Sequence, residues 1–438
     1  MLGIVSEYGS MLALYRRLYE TAKSCGNLEL VVQSQLGLCL ASLRLADFEQ
    51  ARQLADGVCN VAQELADQDS LAFAHWLRGE ADYDQGRYDS SRSQQLAALD
   101  GLRQSEDLHL KASCLNSLGN IEYRRQNLQS ALDYLEQAQL LRLSIGDLQG
   151  LAATLNNKGN IARQMGEYEE AEKYLREALS INETTGNKLW SAHNLNNLNA
   201  LEQDHGNLES ARKYSLDSLK LRQEIGDRLG EASTRMNLAN LEIAVGNLDA
   251  ASPHYDAALR VAQEVGDQRL VMTTLYNLGE LEKQLGNHEA ARSYLGESLE
   301  MCRLTQEKKG EAMNLEALAW MEWQTGNRAL ALELQIRCFE LRLELGEKHG
   351  ILVSCLDAGR SMAEMGEVDT ARRLLLATRA NAEEMSICFK PGQQQTLETA
   401  LAIVNGAGTE LPAQERPGLF EELAAEALRG LKYLLKNT

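Results

Sequence analysis

An all-α solenoid of paired helices is the fold class that the 438-residue sequence predicts, and three observations point to it. The chain repeats itself every forty residues over nine units, without an insertion or a deletion. Three columns of small residues recur at that spacing, and four prolines and 5% aromatic residues suit a chain made of helices. A fixed period of this length indicates stacked repeats, each of which buries its apolar face against its neighbours.

The three columns indicate two antiparallel helices in each unit. Small residues at fixed helical positions let two helices approach closely, so that their side chains interlock. Leu and Ile fill the apolar positions between them at helical spacing. The columns are Cys39, Gly79, Gly119, Gly159, Asn199, Ala239, Gly279, Ala319 and Gly359; Ala51, Ser91, Ala131, Ala171, Ala211, Ala251, Ala291, Ala331 and Ala371; and Val58, Ala98, Ala138, Ala178, Ser218, Ala258, Ser298, Cys338 and Thr378.

A Gly-Asn pair or a near variant separates the two helices of a unit, as in Gly166-Glu167, Gly206-Asn207 and Gly286-Asn287. Glycine ends the first helix because it accepts a left-handed backbone. We expect the asparagine to cap the second helix by accepting from its free N–H groups. A second glycine, usually followed by Asp or Asn, closes the unit.

These columns, the Gly-Asn turn and the Leu-Gly pairs Leu118-Gly119 and Leu278-Gly279 resemble the tetratricopeptide repeat. The common repeat has about 34 residues, whereas this one has forty, and Gly-Asp replaces the usual proline after the second helix. In both respects the repeat resembles the longer-helix variety found in Leu-Gly-Asn-repeat (Pins-type) scaffolds, kinesin light chains and many bacterial repeat proteins. The resemblance covers about residues 27–385 and implies a right-handed superhelix whose first helices line a concave groove.

The repeat pattern predicts four segments. Residues 1–26 form an N-terminal half-repeat or capping helix, and residues 27–385 form nine repeats. Residues 386–418 hold an irregular helix, over about 393–404, and a Pro/Gly linker from 405 to 418. Residues 419–438 form an amphipathic helix, which either caps the solenoid or docks in its groove or on a partner.

Charge and composition exclude several classes of function. A net charge of −19 repels phosphate, which argues against nucleic acid and anionic membrane surfaces as partners. Basic partners would be attracted; the alternative is that the charged surface serves solubility alone. The chain has no apolar run of eighteen residues and no recognisable signal peptide, so neither membrane insertion nor export is expected. Eight cysteines without a CxxC pair indicate free thiols and a reducing, cytoplasmic location.

No motif of catalysis is present. The sequence has no HExxH, no glycine-rich phosphate loop and no GxSxG, and its seven histidines are dispersed. We therefore expect no enzymatic activity, no metal site and no cofactor.

Asparagine recurs in the first helix of successive units, as in CLNSLGNI, TLNNKGNI and NLNNLNAL. Because Asn is a middling-to-poor helix former, its repeated placement there needs a reason. In tetratricopeptide solenoids these positions line the concave groove, so the resemblance implies an Asn ladder that grips an extended peptide, since an amide both donates and accepts. The alternative is structural, with the amides bridging adjacent helices. We refer to this set as the amide row: Asn116, Asn120, Asn156, Asn157, Asn160, Asn196, Asn197, Asn237, Asn240 and Asn277.

Basic and aromatic residues complete the predicted peptide-binding groove. Arg163 and Arg235 lie near the centre of the amide row. Aromatic residues lie towards either end, where we expect them to take apolar anchors, since Trp and Tyr are typical hot-spot residues. Packing between adjacent units is the alternative for each of them. They are Trp76, Tyr83, Tyr123, Tyr276, Trp320 and Trp323.

The sequence therefore predicts a non-catalytic scaffold or adaptor that binds an extended segment of a protein or peptide partner in its groove. The alternative is a regulatory or sensor module whose groove binds a signal peptide, or its own C-terminal helix, and controls a partner. The sequence indicates no particular oligomeric state.

Overall fold

The computed structural model describes residues 2–406 and 420–438, with side chains from residue 8 onward. All regular secondary structure in these ranges is helical, in 21 helices. They are α1 Leu2–Ser24, α2 Leu28–Arg44, α3 Phe48–Leu65, α4 Gln68–Asp84, α5 Tyr88–Gly101, α6 Leu108–Arg124, α7 Leu128–Ile145, α8 Leu148–Met165, α9 Tyr168–Thr184, α10 Lys188–Asp204, α11 Leu208–Ile225, α12 Arg228–Ala244, α13 Leu248–Val265, α14 Gln268–Gln284, α15 His288–Leu304, α16 Lys308–Gln324, α17 Arg328–Leu345, α18 Lys348–Glu364, α19 Val368–Glu384, α20 Pro391–Gly406 and α21 Phe420–Asn437.

Helices α2 to α19 form the nine predicted pairs, each with an even-numbered first helix and an odd-numbered second helix. Helix α1 precedes the pairs, and α20 and α21 follow them. This confirms the predicted class, an all-α solenoid of helix-turn-helix repeats with terminal helices. The chain divides into two compact units, Met1–Leu241 and Glu242–Thr438, which are described separately below. The predicted division into four segments stays a prediction.

The small columns have a steric reason. A Cβ added to Gly119 would lie 2.7 Å from Leu135 Cγ and 3.2 Å from the carbonyl oxygen of Ala131, so α6 and α7 approach closely only because Gly119 has no side chain. The one large polar member of the column, Asn199, is buried and donates a hydrogen bond to Ser215, which stands where four of the other repeats carry Leu. The polar pair therefore replaces the usual apolar contact.

The expected role of the Gly-Asn turn is wrong in one respect. These asparagines make no side-chain cap to the second helix. Each donates instead to the carboxylate of a glutamate five residues earlier, because a bond to a charged acceptor is stronger than one to a neutral group. The pairs are Asn127–Glu122 at 2.7 Å, Asn207–Glu202 at 3.0 Å, Asn247–Glu242 at 3.2 Å, Asn287–Glu282 at 2.7 Å and Asn327–Glu322 at 3.1 Å.

The second helix thus starts at a turn that is hydrogen-bonded to the first helix. The turns between repeats behave differently, because Asp147 and Asp107 accept from backbone N–H groups at 2.9 and 2.8 Å and so cap α8 and α6.

The C-terminal helices close the second unit. Helix α20 extends the predicted 393–404 helix at both ends, so residues 405 and 406 belong to it rather than to the linker. The rest of that linker, 407–418, and Leu419 lie outside the described residues. Helix α21 packs on α17, α18 and α19 with Leu431 and Leu434 buried, so it caps the last repeat.

Candidate functional site

The centre of the amide row is a bonded network in the first unit. Asn156 on α8 is buried, and its Oδ1 accepts from the amides of Asn194 and Asn197 on α10, at 2.9 and 2.6 Å. On the other side, Asn116 on α6 accepts from Asn157 at 3.4 Å. These amides bridge adjacent first helices, as the structural alternative expected.

Several other members of the amide row make no side-chain hydrogen bond within the described residues. In the described part of the chain, no side-chain hydrogen bond is made by Asn120, Asn160, Asn237 or Asn277, of which the first three lie in the first unit and Asn277 in the second. Asn196 has a buried Oδ1 without a partner. Asn240 is exposed. The row therefore contains both amides that hold the repeats together and amides that are available to a ligand.

A buried polar column, not predicted from the sequence, lies beside this row. Asn182, at the end of one repeat, donates to Asn194 of the next at 2.7 Å, and Arg142 donates to Thr154 at 2.7 Å. In the second unit Arg342 donates to Ser354 at 3.0 Å. The signal was a polar residue twelve positions after another polar residue, repeated every forty residues.

The two predicted groove arginines are engaged in ion pairs within the first unit. Arg163 on α8 donates to Asp204 on α10 at 2.7 Å, and Arg235 lies 3.0 Å from Glu231, one turn earlier on α12. A ligand would therefore have to compete with these carboxylates.

The aromatic residues of the first unit are half-buried and pack against neighbours. Trp76 stacks on Phe73, with ring centroids 5.5 Å apart, beside a cavity of about 360 Å³. The hydroxyl of Tyr83 accepts from Arg124 at 3.1 Å. Tyr123 packs against the apolar core around Leu135.

The second unit contains a cavity of about 580 Å³. It lies among the first helices α14, α16 and α18, with α17 and the N-terminal end of α20 as further walls. The cavity brings together two predicted residues, Tyr276 on α14 and Trp320 on α16. We call it the Trp320 cavity; its lining includes Tyr276, Lys283, Trp320, Asp357, Arg360 and Lys390.

Trp323 is not part of this cavity. It is 5% exposed, and its Nε1 donates to Glu364 on α18 at 2.6 Å. The guanidinium groups of Arg328 and Arg360 lie 5.4 and 5.7 Å from its ring centroid. Trp323 therefore packs between adjacent repeats, and its part in the groove stays a prediction.

The Trp320 cavity holds charges of both signs. Lys283 binds Glu280 at 2.6 Å and lies 5.2 Å from the Trp320 ring centroid. Burial raises the pKa of Asp357 to about 6, against the opposing effect of Arg360. Burial also raises the pKa of Tyr276 far above its ordinary value, so its hydroxyl stays protonated and can donate.

Asp357 and Arg360 were missed by the sequence reasoning, although they occupy two columns of the amide row. Arg360 stands forty residues after Trp320 and two hundred after Asn160, and Asp357 stands eighty after Asn277. Following each amide column into the ninth repeat would have found them.

The described residues contain no group of His, Cys, Asp or Glu side chains arranged to hold a metal ion. None of the helices in the described ranges is both long and apolar enough to span a membrane. All eight cysteines have free thiols.

Comparisons with known proteins bear on the family. Residues 69–139, 150–224 and 230–303, just over half of the chain, match the tetratricopeptide repeat model. Residues 6–78 also match a model described as anaphase-promoting complex subunit 5. No curated protein matched the chain.

Several solved structures have a similar fold. The apo form of the quorum sensor NprR from B. thuringiensis has a TM-score of 0.55 at 15% identity, covering 77% of this chain and 97% of its own. A Rap protein complexed with competence and sporulation factor has a TM-score of 0.52 at 16% identity, covering 78% and 99%. Aspartyl phosphate phosphatase F from Bacillus subtilis has a TM-score of 0.52 at 14% identity, covering 78% and 93%.

At these identities the structural likeness shows the fold alone. The repeat columns, the nine helix pairs and the family model agree with one another. The chain belongs to the tetratricopeptide repeat family.

Proposed function

We propose that this protein binds an extended segment of a partner protein on its first helices and acts as a scaffold or adaptor without catalysis. The observation that carries the proposal is the Trp320 cavity, which lies among the first helices of three successive repeats. Binding pockets for small ligands typically have volumes of about 300–1,000 Å³, and this cavity falls within that range.

The cavity supplies the anchor site that such a segment needs. Trp320 is 37% exposed beside Tyr276, so an apolar side chain that enters the cavity removes two aromatic surfaces from water. Tyr and Trp carry a large share of the binding energy at protein interfaces. The charged groups around them provide selectivity for the neighbouring residues of the segment.

The unbonded members of the amide row are proposed to bind peptide backbone. Asn277 on α14, in the same unit as the cavity, is half-buried and makes no side-chain hydrogen bond among the described residues, so it can donate to a carbonyl and accept from an N–H group. Asn120, Asn160 and Asn237 offer the same groups separately, in the first unit. Each such hydrogen bond is expected to contribute about 0.5–1.5 kcal/mol to the free energy of binding. The bonded amides, such as Asn156, would hold the first helices in place without touching the ligand.

The proposal is tested by selecting ligands on the full chain from a synthetic library of random hexapeptides with free C-terminal carboxylates. Affinities of the selected peptides are then measured for the wild type, for Trp320→Ala, and for Asn277→Ala. Trp190→Ala is the matched control, because Trp190 is 43% exposed and lies in the first unit, outside the cavity. Weakening by about tenfold or more in either test variant, with unchanged helicity, supports the proposal. Equal affinities in all variants, or no selected peptide, would overturn it.

A regulatory role is the second candidate, and one observation favours it. Lys390, Gly392, Gln393 and Thr396 of the α20 region line the cavity, so a bound segment would contact α20 directly. One of the neighbours in fold is itself described as a quorum sensor. A change in radius of gyration when a selected peptide is added would favour regulation, whereas an unchanged scattering profile would favour a rigid scaffold.

The eight free thiols suit a reducing compartment, so the cytoplasm remains the location that we propose. The absence of catalysis is likewise a proposal, to be tested by assaying the isolated chain for phosphatase activity, since a phosphatase is among the neighbours in fold.

A further inference from the structure

A separate cavity in the first unit has aromatic and acidic walls. It has a volume of about 360 Å³ and lies among the first helices α2, α4 and α6. Phe73 and Trp76 form one wall, with their rings stacked at an interplanar angle of 7°. Asp69 and Asp107 also border the space, and the described residues that line it include no Lys or Arg. We call this space the Trp76 cavity.

The two carboxylates have no cationic partner in the part of the chain that the structure describes. The side chain of Asp69 is exposed and makes neither a hydrogen bond nor an ion pair there. Asp107 accepts from the backbone N–H of Leu110 at 2.8 Å, and makes no ion pair. His109, also in the lining, has its Nδ1 3.8 Å from the carboxylate of Asp147. The cavity therefore carries negative charge that these residues leave uncompensated.

Two later repeats of the first unit show what is missing. Where Asp147 and Asp227 take the place of Asp107, an arginine lies beside each of them. Arg142 Nε is 3.8 Å from Asp147, and Arg222 Nη1 is 2.5 Å from Asp227. The residue at the corresponding position before Asp107 is a buried leucine, at position 102. The repeat that borders the Trp76 cavity thus lacks the cation that its counterparts supply from within the chain.

The aromatic wall and the carboxylates attract the same kind of ligand group. The face of a Trp or Phe ring attracts a cation within about 6 Å of the ring centroid. Carboxylates form charge-assisted hydrogen bonds with ammonium and guanidinium groups. Leu36 and Leu110 add apolar surface to the lining, on which the hydrocarbon stem of a basic side chain can pack.

We propose that the Trp76 cavity binds a cationic group of a protein segment, held against the Phe73–Trp76 stack by the carboxylates of Asp69 and Asp107. This site lies in the first unit and goes beyond the proposed function, which rests on the Trp320 cavity of the second unit. A polypeptide has two sources of such a cation, a Lys or Arg side chain and the N-terminal ammonium group, which share the charge that the cavity attracts.

A metal ion does not suit these walls. One oxygen of Asp107 already accepts a backbone N–H, and two aromatic rings offer no ligand atoms. A volume of about 360 Å³ is instead within the usual range for organic ligands, about 300–1,000 Å³.

Fluorine NMR of the full chain labelled with 5-fluorotryptophan tests the site, because the chain has only four tryptophans. Replacing each in turn with phenylalanine assigns the resonances. Trp76 reports on this cavity and Trp320 on the other, and Trp190, exposed and outside both, is the internal control.

Four tripeptides serve as probes. They are Ac-Gly-Lys-Gly-NH2, Ac-Gly-Arg-Gly-NH2, the neutral norleucine form Ac-Gly-Nle-Gly-NH2, and the same norleucine form with a free N-terminus. Each is titrated into the wild type and into Asp69→Asn combined with Asp107→Asn, since asparagine can keep the helix cap. Glu136→Gln combined with Asp217→Asn is the matched control, because it removes two exposed charges from second helices of the same unit.

At least one cationic probe should shift the Trp76 resonance of the wild type with an affinity about tenfold or more above that of the capped norleucine form. A response to the Lys or Arg probe identifies a side chain, and a response to the free amine identifies an N-terminus. The Asp69→Asn, Asp107→Asn variant should lose most of this preference, the control variant should keep it, and the Trp190 resonance should stay in place.

Equal shifts of Trp76 with charged and neutral probes, or no shift with any probe, would overturn the cation site. Identical titrations of the wild type and the Asp69→Asn, Asp107→Asn variant would do the same. Each of these results leaves the proposed function standing, because that is tested separately by the dependence of hexapeptide binding on Trp320. The comparison of charged and neutral probes on the wild type does not depend on the folding of any variant.

Discussion

Asn197 on α10 donates a hydrogen bond of 2.6 Å to Asn156 on α8, so two amides that the sequence assigned to a peptide groove are bonded to each other. The same oxygen of Asn156 accepts from Asn194, a residue that is fully buried. Part of the amide row thus connects adjacent repeats. Bridging is therefore the role of Asn156 and Asn197, and ligand binding by the unbonded amides stays a proposal.

Replacing Asn156 with alanine should destabilise the protein. The change leaves the amides of Asn194 and Asn197 without their acceptor, which should lower the free energy of unfolding by about 1–3 kcal/mol. Asn160→Ala is the matched control on the same helix, because the Asn160 side chain makes no hydrogen bond in the described part of the chain and its loss should change stability by no more than about 0.5 kcal/mol. Urea unfolding measures both, and equal losses would argue against a division of roles.

Glu80 should make stability depend on pH in the first unit. Burial raises the pKa of Glu80 from 4.5 to about 7, although Ser117 and Gln95 donate to its carboxylate at 2.6 and 2.9 Å. Between these two values the folded state binds a proton that the unfolded state has released. The contribution of Glu80 is therefore complete below pH 4.5 and is lost as the pH rises towards 7.

Glu80→Gln cannot ionise, so the stability of this variant relative to the wild type should increase steadily from pH 4.5 to 7. Thermal unfolding across that range measures the difference. Glu136→Gln, at an exposed position on α7, provides the control and should show no such trend. A constant difference for Glu80→Gln would refute the proposed protonation of the buried carboxyl group.

The C-terminal helix offers a test of capping. Leu431 is 1% exposed against α17–α19, whereas Tyr433, two residues later, is 56% exposed. Leu431→Ala should lower the free energy of unfolding by about 2–5 kcal/mol, as expected for a buried leucine. Tyr433→Ala should have a much smaller effect, and similar losses from both would mean that α21 does not pack in this register.

The repeat columns and the turn glycines predict the fold in detail, because close helix packing demands small residues at fixed positions. Whether an individual side chain is buried or borders a cavity is harder to predict from the sequence. Trp320 and Trp323 are one turn apart on α16, yet Trp320 borders a cavity and Trp323 is buried against Glu364, forty-one residues later in the chain. Their surroundings differ because of how the next repeat packs against each of them.

For the same reason, the sequence did not predict the hydrogen-bond partners of the turn asparagines or the position of Arg360 in the Trp320 cavity. Asparagine commonly caps helices, but the side-chain amide of Asn327 donates instead to the charged carboxylate of Glu322 across the turn. Arg360 is conspicuous only when its column is followed from Asn160 through Trp320 into the ninth repeat, where a guanidinium replaces the amide.

Hydrogen–deuterium exchange of the full chain, with and without a selected hexapeptide, tests the central claim most directly. The account predicts slower exchange in the C-terminal halves of the first helices α14, α16 and α18, and at the start of α20, where the Trp320 cavity lies. Second helices such as α15 should exchange as they do without the peptide. Protection confined to the second helices or to the terminal helices α1 and α21 would contradict it, because the partner segment would then bind outside the surface formed by the first helices.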